Sequence, residues 1–185
     1  MEVITPRTLD EALRLKSERP DARPIAGGTD LLVELNFDRT RPETILNLAE
    51  VPELKGWSRE NGSLRLGAGL TYTEAMKPEL AELLPALAEA SRTVGSPQIR
   101  NRGTIGGNLG TASPAGDAHP PLLVEDATVE EQRGHDQPLV LLGIADGLAD
   151  QPPPLACRPH EEIAARTRPA LVGGQAAPRE RHGNP

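Results

Sequence analysis

Two glycine-rich stretches constrain this 185-residue chain more than any other feature. The first is Pro24-Ile25-Ala26-Gly27-Gly28-Thr29-Asp30-Leu31. The second runs from Val94 to Asp117 and contains Gly103-Thr104-Ile105-Gly106-Gly107-Asn108 and Ala112-Ser113-Pro114-Ala115-Gly116-Asp117. Glycine lets a backbone N–H come close to an anion, and neighbouring Thr, Ser and Asn add further donors. Two such loops on one small domain predict a dinucleotide whose diphosphate is clamped from both sides. Neither the G-x-G-x-x-G turn of a doubly wound NAD domain nor a G-x-x-x-x-G-K-[ST] phosphate loop is present.

The pattern around the loops predicts an α+β chain. Val3-Ile4 reads as a strand, and Thr8 with Glu11 as a capping box opening a helix with Leu9, Ala12 and Leu13 on its apolar face. Arg23 to Ala26 returns as a strand, and Thr29 is placed to cap a second helix carrying Leu31, Leu32 and Leu35. The first turn then lies between a strand and a helix N-terminus, where the helix dipole favours an anion. With a strand from Thr44 to Leu48, residues 1–55 form a small βαβ-like lobe.

Residues 56–130 read as a second α+β lobe. Asn61-Gly62 joins a hairpin of Gly56 to Glu60 and Ser63 to Ala68, and Thr71 with Glu74 forms a second capping box. Leu80 to Thr93 is helical, with Leu83, Leu84, Leu87 and Ala90 at core spacing and Pro85 as a break or restart. Pro121 to Val124 suggests a helical turn, and Ala127 to Glu130 the start of a strand.

Residues 131–185 change character. They contain no Lys, Phe, Tyr or Trp, yet hold eight of the nineteen prolines. This composition predicts a disordered or irregular tail, as an early stop or a shifted reading frame in a GC-rich gene would leave. A divergent but folded end is the alternative.

Charge and cysteine usage narrow the function classes. A net charge of −7 argues against a nucleic-acid partner or a polybasic membrane contact. No apolar run approaches the roughly 18 residues of a membrane span, and the N-terminus lacks a signal-peptide pattern. A cytoplasmic protein with no integral membrane segment is therefore expected. The single Cys157 excludes an internal disulfide, and also an iron–sulfur cluster held by this chain alone. His119, His135, His160 and His182 show no metal-ligand spacing, so metal chemistry is expected on a partner.

Four ordered motifs carry a resemblance over roughly residues 1–130: Ala26 to Leu32, Leu66-Gly67-Ala68-Gly69, Ile99 to Asn108, and Ala112 to Asp117. The chain resembles the FAD-binding medium subunit of the molybdenum hydroxylases, of the carbon monoxide dehydrogenase and xanthine dehydrogenase type. That subunit belongs to the flavoprotein group named after p-cresol methylhydroxylase and vanillyl-alcohol oxidase. The resemblance implies a two-lobed α+β FAD-binding domain of that type, with the C-terminal part of the family fold missing. It implies partners too: a large subunit with the molybdenum cofactor and a small [2Fe-2S] subunit. Electrons would pass from the iron–sulfur clusters through FAD to an external acceptor.

By this resemblance Ala26, Gly27, Gly28, Thr29, Asp30 and Leu31 form the first FAD-binding loop. Thr104, Ile105, Gly106, Gly107 and Asn108 match the stretch that wraps the diphosphate, and Asp117 matches an acid contacting the nucleotide half. Val94 matches a position near the flavin. Each has a plainer reading: a tight strand-to-helix turn for Gly27-Gly28, a turn-stabilising acid for Asp117, packing for Val94. Asp30 opposes an anion by charge and is expected to point away or to cap the helix. Arg100 and Arg102 are expected to be solvated or to face a partner. His119 lies past the motif, and covalent flavin attachment is not a property of this branch. No catalytic side chain is expected, since the redox chemistry belongs to the flavin. The competing readings are an inert fragment of such a subunit and a stand-alone flavin oxidoreductase of the same superfamily.

Overall fold

Three short parallel strands open the chain: β1 (Glu2–Ile4), β2 (Arg23–Ile25) and β3 (Thr44–Asn47). Their order is β1-β3-β2, so the last strand inserts between the first two. Ile45 and Leu46 of β3 are both buried, as a central parallel strand covered on two faces requires. Helix α1 (Leu9–Glu18) connects β1 to β2, with Ala12 fully buried. Thr8 caps it by accepting the Glu11 N–H at 3.2 Å, while the Glu11 carboxylate accepts from Arg7 N–H at 2.7 Å instead of completing the box on Thr8. The computed structural model describes residues 1–60, 62–134 and 137–140.

Helix α2 (Leu31–Asn36) departs from expectation. Asp30, not Thr29, occupies the N-cap, in helical backbone geometry and without a side-chain cap bond. Leu31 is buried, whereas Leu32 and Val33 are about half exposed and Phe37 is 69% exposed, so only one edge of this helix packs inward.

The hairpin β4 (Trp57–Glu60) and β5 (Ser63–Leu66) forms in the expected register, with Glu60 opposite Ser63 and Gly62 at φ +83° in its turn. After it, Thr71 and Glu74 make the full capping box of α3 (Tyr72–Ala75): Glu74 N–H donates to Thr71 Oγ1 at 3.2 Å and Thr71 N–H to Glu74 Oε2 at 2.8 Å. Proline then acts as a break. Helix α4 (Pro78–Ala81) stops, and α5 (Pro85–Thr93) starts afresh with Pro85 in its first turn, where a missing N–H is harmless. The short helices α6 (Pro97–Arg100) and α7 (Ile105–Thr111) carry the second glycine-rich stretch, and α8 (His119–Val124) follows it.

One core packs α1 against the β4–β5 hairpin and the helices that follow it. Leu64, Leu66, Leu70, Leu80, Leu84, Leu87 and Ile105 are its largest fully buried apolar side chains, and Ala12, Val51 and Leu54 belong to it. Apolar packing therefore crosses the boundary expected near residue 55.

Residues 127–130 are not a strand. The strand starts one step later, as β6 (Glu131–Gly134), and pairs antiparallel with β7 (Gln137–Val140) beside α1. The stretch expected to be irregular from residue 131 thus opens with a hairpin. Expectations for the rest of the tail, including Cys157, lie outside the described residues. Among the described residues, no helix is long and apolar enough to cross a membrane.

The two capping threonines separate a full box from half of one. Thr71→Ala should lower unfolding free energy by about 1 kcal/mol, and Thr8→Ala by less, as read from urea denaturation.

Candidate cofactor cleft

The first loop and α7 face each other across a cleft of about 480 Å³. Its wall includes every residue of the first loop from Ala26 to Leu31, together with Val94, Thr104, Gly106, Gly107, Asn108 and Asp117. Of the residues expected to bind the cofactor, only Ile105 is missing from the lining. It sits at the first position of α7, is fully buried, and points into the core.

What brings the loops together is contact between backbones. A Cβ on Gly27 would lie 1.8 Å from the Arg102 carbonyl oxygen, and one on Gly106 would lie 2.6 Å from Ala68 Cβ. No side chain fits either gap. These glycines serve the packing of chain against chain, a role the sequence pattern alone had given to ligand contact. Gly28 differs, because its φ of +79° is a left-handed turn conformation.

The amides of the two loops are used differently. Around α7 they are bonded within the protein: Ile105 N–H to Leu70 O at 2.9 Å, Gly106 N–H to Ala68 O at 2.9 Å, Gly107 N–H to Thr104 Oγ1 at 3.0 Å, and Asn108 N–H to Thr104 O at 3.0 Å. The segment Ala68-Gly69-Leu70 thereby occupies donors that the motif reading had assigned to a diphosphate. In the first loop, by contrast, no acceptor is found among the described residues for the N–H groups of Gly28, Thr29 and Asp30. The donors available to an anion are concentrated there.

Polar side chains tie the cleft together. Asp30 reaches across to α7, where its Oδ2 accepts from Thr111 Oγ1 at 3.0 Å; it neither caps α2 nor turns away. Asn108 Oδ1 accepts from Ala118 N–H at 3.2 Å and so fixes the turn that carries the exposed Asp117. Arg100 is part-buried, and its Nη1 donates to Val94 O and Gly95 O at 2.9 Å each, closing the C-terminus of α5. Arg102 is exposed, and its backbone carbonyl is what meets Gly27.

Charge in the lining is mostly negative. Among the described residues Arg23 is its one cationic side chain, set against the carboxylates of Asp30, Glu34 and Asp117, and it stands 3.9 Å from Glu34. Sequence reasoning missed this, and also missed Tyr72, which lines the cleft while only 3% exposed. The signal was available: Tyr72 is the chain's single tyrosine, beside a glycine-rich motif, but its neighbours had been read only as a helix cap.

The two kinds of glycine should respond differently to one added methyl group. Gly27→Ala forces backbone apart and should cost more than about 2 kcal/mol of stability. Gly107→Ala meets only the Thr104 hydroxyl, at 2.8 Å, and gains helix propensity, so its cost should stay within about 1 kcal/mol. Paired denaturation curves decide this.

Comparison with known proteins agrees with the geometry. A family model described as "FAD binding domain in molybdopterin dehydrogenase" matches residues 1–161. The chain is 41% identical over 141 residues to the nicotinate dehydrogenase FAD-subunit of Eubacterium barkeri, covering 74% of this chain and 48% of that protein. It is 37% identical over 125 residues to the xanthine dehydrogenase FAD-binding subunit of Escherichia coli O157:H7, covering 66% of this chain and 43% of that one. A crystal structure of Cu,Mo-CO dehydrogenase superposes with a TM-score of 0.71 at 28% identity, over 77% of this chain and 50% of the other. The chain thus spans about half the length of the relatives it matches. On its sequence and its α+β fold alike, it belongs to the family of FAD-binding domains of molybdopterin dehydrogenases.

Proposed function

We propose that the cleft between the first loop and α7 holds FAD, and that the chain acts as the FAD-bearing component of a molybdenum hydroxylase. In that assembly it stands between a [2Fe-2S] subunit, which receives electrons from a molybdenum-cofactor subunit, and an external acceptor. The observation that carries the reading is the meeting of both glycine-rich loops at one cleft, with the amides of Gly28, Thr29 and Asp30 left without acceptors among the described residues.

The residues present fit the cofactor. A diphosphate needs several convergent donors, and the first loop offers them at the entrance to α2. Asp117 lies on the exposed turn held by Asn108, where a carboxylate can accept from the two hydroxyls of a ribose. Ala26, Leu31, Val94 and Ile99 give the cleft its apolar wall, suited to a flat ring system. When bound, the isoalloxazine supplies one- and two-electron redox chemistry. The chain's task is then to bind it, orient it and hold its diphosphate with neutral donors.

The direct test is titration of the purified chain with FAD, followed by absorbance and quenching of flavin fluorescence. A saturable complex is expected, and Gly28→Val should weaken it at least tenfold by straining the turn that presents the free amides. Failure of the unsubstituted chain to retain flavin would refute the proposal. Asp117→Ala should reduce affinity for FAD more than for FMN, which lacks the adenosine half. Equal losses would move Asp117 to the flavin end or to a structural role.

A further inference from the structure

We infer that the Tyr72 hydroxyl is a cofactor ligand, donating one hydrogen bond from the cleft wall to an oxygen of the bound FAD, either on its phosphates or on its riboflavin half. The inference rests on the reading of the cleft as an FAD site. Tyr72 is 3% exposed and lines the cleft, yet its hydroxyl has no hydrogen-bond partner among the described residues. A buried hydroxyl without a partner is worse than the phenylalanine that would fill the same space, so folding alone gives no reason for it.

Its position is set by neighbours that have no freedom to turn it away. The Tyr72 ring packs on Gly103, where a Cβ would stand 3.2 Å from Cδ2 and Cε2. Tyr72 N–H donates to Gly103 O at 3.2 Å, and the capping box on Thr71 fixes the start of its helix. Burial first, and then the charges of Asp117 and Asp30, hold the phenol well above its ordinary pKa, so it remains a neutral donor at any working pH. A neutral donor in a wall that also carries the carboxylates of Asp30, Glu34 and Asp117 selects for an oxygen acceptor on the ligand.

Tyr72→Phe removes the hydroxyl and nothing else. In the full chain, the ligand-free variant should melt at the same temperature as the parent or higher, while FAD binds roughly tenfold more weakly. ADP and riboflavin, titrated in parallel, locate the acceptor: a loss confined to ADP places it on the phosphates, and one confined to riboflavin on the flavin half. Unchanged FAD affinity in Tyr72→Phe, with normal binding by the parent, overturns this inference and leaves the FAD site standing. A clear fall in the ligand-free melting temperature overturns it too, since the hydroxyl would then be engaged within the fold. No FAD binding by the parent removes both.

Discussion

Everything at the cleft depends on backbone meeting backbone with no side chain between. Gly27 lies against the Arg102 carbonyl, Gly106 lies against Ala68, and Gly69 N–H donates to Leu54 O at 2.6 Å. These contacts draw together four segments: those of Gly27, Leu54, Ala68-Gly69 and Arg102 to Gly106. Close packing of this kind is intolerant of even a methyl group. The same approach that builds the cleft also determines which amides remain available inside it.

That allocation is the main physical result. A glycine-rich helix entrance is commonly read as an anion site, because its first N–H groups lack partners within the helix. Here the entrance of α7 has been filled from behind by the carbonyls of Ala68 and Leu70 and from within by Thr104 Oγ1. The entrance of α2 has not. The two loops are then complementary rather than equivalent: one supplies donors, and the other supplies a rigid opposing wall. The Asp30–Thr111 hydrogen bond spans between them and holds the donor loop in register with that wall.

Local features were legible in the sequence, and relations between segments were not. The β4–β5 hairpin, the Thr71 box and the restart at Pro85 depend on a few adjacent residues, and they form as read. The insertion of β3 between β1 and β2 has no local signature, because parallel partners are chosen by distant packing. The cap at Asp30 instead of Thr29 is a one-residue matter of how the chain leaves Gly28. Ile105 was assigned to the site with its motif, but a helix turns each successive residue by about 100°, so a run of five cannot face one cleft together. Glycine itself is ambiguous in sequence: a position kept bare for a ligand and one kept bare for a neighbouring chain look alike.

The charge of the cleft gives a further constraint on how it can work. With one cationic side chain in the lining and three carboxylates, there is little long-range attraction for a diphosphate, and the whole chain is acidic at −7. Affinity must come from short-range dipoles aimed at the ligand, which act only after it has arrived. Two of the carboxylates are partly occupied within the protein, Asp30 by Thr111 and Glu34 by Arg23, which leaves Asp117 as the acid most open to a ligand hydroxyl. A site of this composition distinguishes ligands by shape and hydrogen-bond pattern more than by charge. An extended molecule with a central diphosphate and hydroxyl-bearing ends satisfies both parts, whereas a compact polyanion would meet the amides and then the carboxylates. If the cleft holds FAD as proposed, the acidic residues that at first count against an anion site would act as its filter.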